Sequence, residues 1–231
     1  RRPMLSKKIL VVAAHPDDEV LGCGGLIAKY AGDNDICVVI LGEGISSRYE
    51  KRELANKNDL DELRLQSIQA GKVLGVKENI FYNLPDNRFD SVTFLEIVKK
   101  VEEIIYKFKP DIIYTHHSGD LNIDHRITFH AVLTASRPLK ENSVKGIYSF
   151  EILSSTEWSQ QKIEKPFIPN VYEDISSALE KKIEAFQKYK FEVKEFPHPR
   201  SVAGIKILAQ KRGMESGFES AEAFELIRLL K

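Results

Sequence analysis

The chain has 231 residues, 42% of them hydrophobic, enough for one sizeable core and for a single domain or a domain with an appended lobe. The 34 basic and 34 acidic residues cancel, so no basic excess points to nucleic acid and no basic helix to a membrane surface. No apolar run approaches the ~18 residues that cross a bilayer, and the N-terminus lacks a signal-peptide core.

Met4 looks like a natural start, so residues 1–3 are left out of fold reasoning. A single domain is expected over 4–231, with a core over 8–136 and a C-terminal lobe over 138–231. Cys23 and Cys37 form no spaced metal pair. They read as small buried apolar groups in a reducing compartment, the cytoplasm.

In chain order, the apolar run over 8–14 reads as a strand, and 22–30 has helical spacing that ends near Gly32. A second near-continuous apolar strand covers 36–41. Residues 43–58 are polar and without a period, which reads as a loop able to move. An amphipathic helix is expected over 59–74, stopped by Gly75. A short strand follows at 80–82. Ser91 reads as the cap of a helix carrying Phe94, Ile97, Val98, Val101, Ile104 and Ile105 at helical spacing. Pro110 ends that helix, 111–115 is another strand, 116–123 a polar loop, and 124–136 a helix. After Pro138 a strand is expected over 146–153 and helices over 173–190 and 202–212, while 221–229 is ambiguous between strand and helix.

Continuous apolar strands separated by amphipathic helices imply a parallel sheet covered on both faces. With the right-handed crossover rule, this is an α/β, Rossmann-like, doubly wound and mostly parallel sheet. The C-terminal lobe is expected to complete one wall of the site.

The segment His15-Pro16-Asp17-Asp18-Glu19 is the most informative stretch. It follows a buried strand and precedes the start of a helix. It therefore sits at the carboxyl end of a strand, where open α/β sheets place their active sites. One imidazole and three carboxylates in five residues ask for a cation or a proton-transfer task. A second polar cluster, residues 116–126, contains His116, His117, Asp120, Asn122, Asp124 and His125 and follows another buried strand. Two such loops can converge on one metal ion. A set of two histidines and one carboxylate leaves an open position for water, as catalytic zinc requires. Ferrous iron suits the same donors.

These two motifs, in this order, resemble the PIG-L/LmbE-like zinc-dependent N-deacetylases. That family includes the GlcNAc-phosphatidylinositol deacetylase and the deacetylases of mycothiol and bacillithiol biosynthesis. The resemblance covers at least residues 8–136. It implies a Rossmann-like fold and removal of the N-acetyl group from an N-acetyl amino sugar of the N-acetylglucosamine type, or from its conjugate. It also implies a small-molecule substrate rather than nucleic acid. It matches His15, Asp18 and His125 to the zinc ligands and Asp17 to the base that activates the attacking water. Asp124 stands where the family has a carboxylate beside the ligand histidine. The better-known members carry a histidine three residues before that ligand. Asn122 stands there in this chain, able to donate a hydrogen bond to an oxyanion but unable to act as an acid. The leaving amine then takes its proton from Asp17 or from His116, His117 or His198.

Plainer readings stand beside these. Asp17 and Asp18 alone could be helix-capping carboxylates, and Asp124 could be a helix N-cap. Glu19 could be no more than an acid in a first helical turn. His130, five residues after His125, reads as structural. For substrate contacts the candidates are Arg48, Asp86, Arg88, His117, His198 and Arg200, with surface ion pairing as the rival reading for the charged ones. Arg64 could brace the site from below, and Trp158 reads as a seal of the C-terminal lobe. Two other classes of function stay open. One is a metal-binding member without catalysis. The other is a nucleotide-binding module, disfavoured because Gly22, Gly24 and Gly25 do not fit Gly-x-Gly-x-x-Gly. The sequence leaves a homo-oligomer open.

Overall fold

The apolar runs become a central sheet in the computed structural model, which describes residues 6–160 and 162–231. Residues 1–5, with the expected start at Met4, and residue 161 lie outside the described residues. In chain order the elements are β1 (Lys8–Ala13), α1 (Asp18–Tyr30), β2 (Asp35–Gly42), α2 (Lys57–Leu74), β3 (Glu78–Leu84), α3 (Phe94–Phe108), β4 (Ile112–His116), α4 (Ile123–Ala135), β5 (Gly146–Phe150), β6 (Val171–Asp174), α5 (Leu179–Phe186), α6 (Val202–Ser216) and β7 (Ala221–Leu229). The strands form one seven-stranded sheet in the order β3-β2-β1-β4-β5-β7-β6. β1 to β5 run parallel, while β7 is antiparallel to both β5 and β6.

Alternation along β1 and β2 splits each apolar run between two cores. Ile9, Val11, Ile36, Val38 and Ile40 pack under α1, α2 and α5. Leu10, Val12, Cys37, Val39 and Leu41 pack on the opposite side, under α3 and α4. Both free cysteines are buried, and burial pushes the Cys37 thiol up to about 12. Among the described residues no helix is long and apolar enough to cross a membrane.

The chain leaves β1 toward one face and β4 toward the other, although the two strands are neighbours. This is the topological switch point, and it opens a crevice at their carboxyl ends. The ladder there runs Ile9–Ile112 to Val12–Thr115, and the Thr115 hydroxyl donates to the Val12 carbonyl at 3.1 Å.

Several boundaries differ from the sequence expectation. α1 starts at Asp18 rather than 22, because the carboxylates of its first turn favour the positive end of the helix. Thr93, not Ser91, precedes α3, and Ser91 closes a single 3-10 turn. Asn56 caps α2, its side chain accepting from the Asn58 N–H. The loop over 43–58 carries two 3-10 turns, tied down by the Arg52–Glu43 fork at 2.8 and 2.9 Å. The single helix expected over 173–190 is instead the edge strand β6 and the shorter α5. The ambiguous stretch 221–229 is the strand β7, filed between β5 and β6.

Candidate metal centre and active site

β1 hands its last residues to a tight turn, and Asp17 takes a left-handed backbone with φ 100°. For a non-glycine residue this costs about 1–2 kcal/mol. The turn is held by Glu19, whose carboxylate accepts the Asp17 N–H at 3.1 Å and the Tyr189 hydroxyl. Burial pushes the Glu19 carboxyl up to about 7. Glu19, undecided from sequence, thus pins the backbone of its neighbour.

Three ligating atoms meet at the crevice. His125 Nε2 lies 3.3 Å from His15 Nδ1, both imidazoles lie within reach of Asp18 Oδ2 at 3.3 and 3.4 Å, and the three form a candidate metal site. Ligands about 2.0–2.1 Å from a tetrahedral ion stand about 3.3 Å apart, so these spacings fit one. The far ring nitrogens are turned to carboxylates. His15 Nε2 lies 2.9 Å from Asp124 Oδ2, and His125 Nδ1 lies 3.1 Å from Asp120 Oδ1. In a neutral His15 ring the proton then sits on the outer nitrogen against Asp124, and with the His125 proton likewise on the Asp120 side the inner nitrogens face each other as lone pairs. Two lone pairs and a carboxylate so close need positive charge between them. Without a metal the charge is supplied by protons: against the cost of burial, Asp18 and Asp120 raise His125 to about 9. Asp18 is held well below the usual carboxylate range; its burial opposes this, but the facing His125 and His116 outweigh it.

Asp124 is fully buried and does not cap α4. Asn122 takes that place, its side-chain oxygen accepting the Asp124 N–H at 2.8 Å. The Asp124 carboxylate is shared between His15 and the Phe89 N–H at 2.9 Å. Asn122 spends its amide N–H on Asn87 Oδ1 at 2.8 Å, on the rim of the cavity. Asp86 is also near His15, at 3.3 Å from Nε2, and accepts from the Ser47 N–H and hydroxyl.

The donors line a cavity of about 240 Å³ whose walls include Asp17, Arg48, Asp86, Asn122 and Arg200. Arg200 reaches Asp17 Oδ2 at 3.3 Å and Glu192 at 3.0 Å, and Glu192 also holds Arg48. Asp17 is pushed well above the usual carboxylate range by burial, then by Glu192 and Asp18, with Arg200 opposing. The C-terminal segment thus supplies Ile152 to Ser155, Glu192 and Arg200 to this wall.

Other sequence candidates lie elsewhere. Arg88 is exposed and outside the cavity, because the turn after β3 points Asp86 inward and Arg88 out. His117 is turned away to Glu225 at 2.8 Å and the Lys165 carbonyl. His198 accepts the Arg200 N–H at 3.0 Å and packs against the half-exposed Trp158, also outside the cavity. His116 is buried behind the ligands, its Nε2 accepting the Ala14 N–H at 2.8 Å and its ring stacked on His125. Arg64 lies over the Phe81 ring rather than under the site. His130 is exposed beside Phe129. Sequence reasoning missed Asp120 and Glu192 as contributors. Asp120 stands five residues before His125. Glu192 is an acid between Phe191 and Val193, a buried-charge signal visible only with hindsight.

The model of the family described as "PIG-L: GlcNAc-PI de-N-acetylase" matches residues 10–136. The chain belongs to the PIG-L family. This PIG-L chain is 28% identical over 191 residues to the uncharacterized deacetylase YaiS of Escherichia coli (strain K12), spanning 80% of this chain and 91% of that protein. It is 24% identical to the diacetylchitobiose deacetylase of Thermococcus kodakarensis, over 96% of this chain and 83% of the relative. Its fold is shared with GalB, the 4-carboxy-2-hydroxymuconate hydratase of Pseudomonas putida KT2440, at TM-score 0.76 and 21% identity over 97% and 98% of the two chains.

Proposed function

We propose that this PIG-L-family protein is a metal-dependent hydrolase. It removes the N-acetyl group of an N-acetylglucosamine-type sugar or its conjugate. The observation that carries the reading is the donor triangle of His15 Nδ1, Asp18 Oδ2 and His125 Nε2, whose sides of 3.3–3.4 Å match a tetrahedral ion. Zinc and ferrous iron both suit these donors. The bound ion would polarise the amide carbonyl and acidify the attacking water.

The remaining work falls to the chain. Asp17 opens into the same cavity and takes the proton of the attacking water. Arg200 fixes the Asp17 carboxylate in place at 3.3 Å. With His116, His117 and His198 outside the cavity, Asp17 returns its proton to the leaving amine. Asn122, on the cavity rim, gives one amide N–H to Asn87 and has a second that would serve as a donor to the carbonyl oxygen. At about 240 Å³ the cavity is smaller than the ~300 Å³ of a drug-sized pocket, which suits a single sugar ring. Its polar lining of Ser47, Asp86, Arg48 and Asn87 suits hydroxyl groups.

The test is acetate release from N-acetylglucosamine and N,N′-diacetylchitobiose, with metal analysis on the same sample. Asp17→Asn tolerates the left-handed backbone and should lose about 100-fold or more of the rate while keeping its metal. Wild-type rates in that variant refute the mechanism. Metal uptake without acetate release from any N-acetyl sugar refutes the reaction, and would favour other chemistry on the same fold.

A further inference from the structure

α1 is not one helix. Cys23 has φ −149° and ψ 25°, so the helix breaks there and restarts. A regular helix would join the Leu21 carbonyl to the Gly25 N–H, and the Gly22 carbonyl to the Leu26 N–H. At the break these groups find partners from far away in the chain. Lys182 Nζ, from α5, donates to the Leu21 carbonyl at 2.8 Å. The Glu222 carboxylate, from β7, accepts the Gly25 and Leu26 N–H groups at 2.8 and 2.7 Å. Lys182 and Glu222 are bonded to each other at 2.7 Å, and both are about 95% buried. An ion pair thus stands in the gap of a helix ladder, its cation on the last carbonyl of the first turn and its anion on the first N–H groups of the second.

The first turn, Asp18 to Leu21, carries the ligand Asp18 and the brace Glu19, and the backbone carbonyl of Asp17 accepts the Val20 and Leu21 N–H groups. Its direction is therefore not inherited from the rest of α1. We infer that Lys182 and Glu222 are positioning residues for the metal centre: by bridging the break they set where Asp17 and Asp18 stand. A simple packing role does not account for the arrangement. A buried ion pair is no more stabilising than apolar side chains of the same volume, yet here each charge is matched to a freed backbone group of the correct sign.

The inference rests on the metal-dependent reading of the site for one of its two readouts. Lys182→Met keeps the length of the stem and leaves the Leu21 carbonyl unmet. Where the lone Glu222 charge prevents folding, Lys182→Met with Glu222→Gln removes both charges together. In metal-free protein, amide hydrogen exchange followed by mass spectrometry should show lost protection over residues 15–21. Zinc affinity, measured by chelator competition on the folded variant, should fall about 10–100-fold, the size of effect seen when groups behind metal ligands are removed. A variant that melts earlier but keeps wild-type exchange over 15–21 and wild-type zinc affinity overturns the inference, since the pair would then be structural only. Should the wild-type protein take up neither zinc nor ferrous iron, the proposed function fails, while the exchange pattern still decides what the ion pair does.

Discussion

Asp124→Asn isolates the part of the metal centre that the geometry makes most exacting. The substitution keeps size and shape at a fully buried position, so packing is unchanged. One carboxylate oxygen accepts the Phe89 N–H at 2.9 Å, and the other faces His15 Nε2 at 2.9 Å. Phe89 offers only a donor, so the amide oxygen of asparagine must turn to it. The amide NH2 then faces His15 Nε2 and forces that nitrogen to accept. The ring proton moves to Nδ1, the atom that faces the metal position. Loss of a partner behind a metal ligand costs 10–100-fold in affinity, about 1.4–2.8 kcal/mol. The reversed tautomer places this variant at the upper end. Chelator competition with zinc should therefore show close to a 100-fold weaker site. Wild-type zinc affinity in Asp124→Asn would refute the reasoning about the His15 tautomer.

Three further perturbations test other parts. A Cβ at Gly22 would stand 2.4–2.8 Å from the Phe150 ring, so Gly22→Ala should cost about 1–3 kcal/mol by overpacking; an unchanged urea midpoint would contradict that contact. Asn122→Ala should lose about 1 kcal/mol as the α4 cap goes, while Asn122→Asp keeps the acceptor; equal losses in the two melts would remove the cap from the account. The Glu225 hydrogen bond, outweighing partial burial, raises His117, and burial opposes but His117 outweighs it in lowering Glu225. A raised histidine stabilises fully below its unfolded value of about 6.5 and loses this as pH rises through the folded value; a lowered glutamate stabilises above about 4.3 and loses this on acidification. The stability difference between wild type and His117→Gln in urea titrations should thus be largest between these limits and shrink as pH rises through the raised value of His117. A difference that grows toward pH 9 would reverse the assignment.

The central strands were legible because their apolar runs leave no other reading: Val11 and Val12 must both be buried, one on each face of a sheet. The two polar loops were legible for a related reason. Each is contiguous in sequence and follows such a strand, so topology brings them together without further information. What stayed hidden depends on contacts across the chain. β6 reads as helix because Glu173 lies in a charged stretch, and it becomes a strand because β7 offers an edge and Lys29 and Tyr30 bond Glu173. β7 was ambiguous because Glu222 and Glu225 interrupt its apolar pattern, and both glutamates are paid for by distant partners, Lys182 and His117. Among the site residues, Arg88 was misplaced because a tight turn sends neighbouring side chains in opposite directions. His117 was misplaced because a strand end does the same.

The ladder between β1 and β4 acts as a caliper. His15 follows one strand and Asp120 to His125 follow the other, so the reach between the ligands is measured in backbone hydrogen bonds rather than in flexible side chains. The surrounding loops carry no ligand, but they hold what stands behind the ligands: the Ser155 and Thr156 hydroxyls donate to Asp120, and Arg200 reaches Asp17 and Glu192. The spacing of the donors is thereby set by the sheet, and the setting of Asp17 and Asp120 by the loops around it. Substitutions at Arg48 would be expected to leave metal loading near wild type, whereas loss of the Ser155 or Thr156 hydroxyl should weaken it through Asp120.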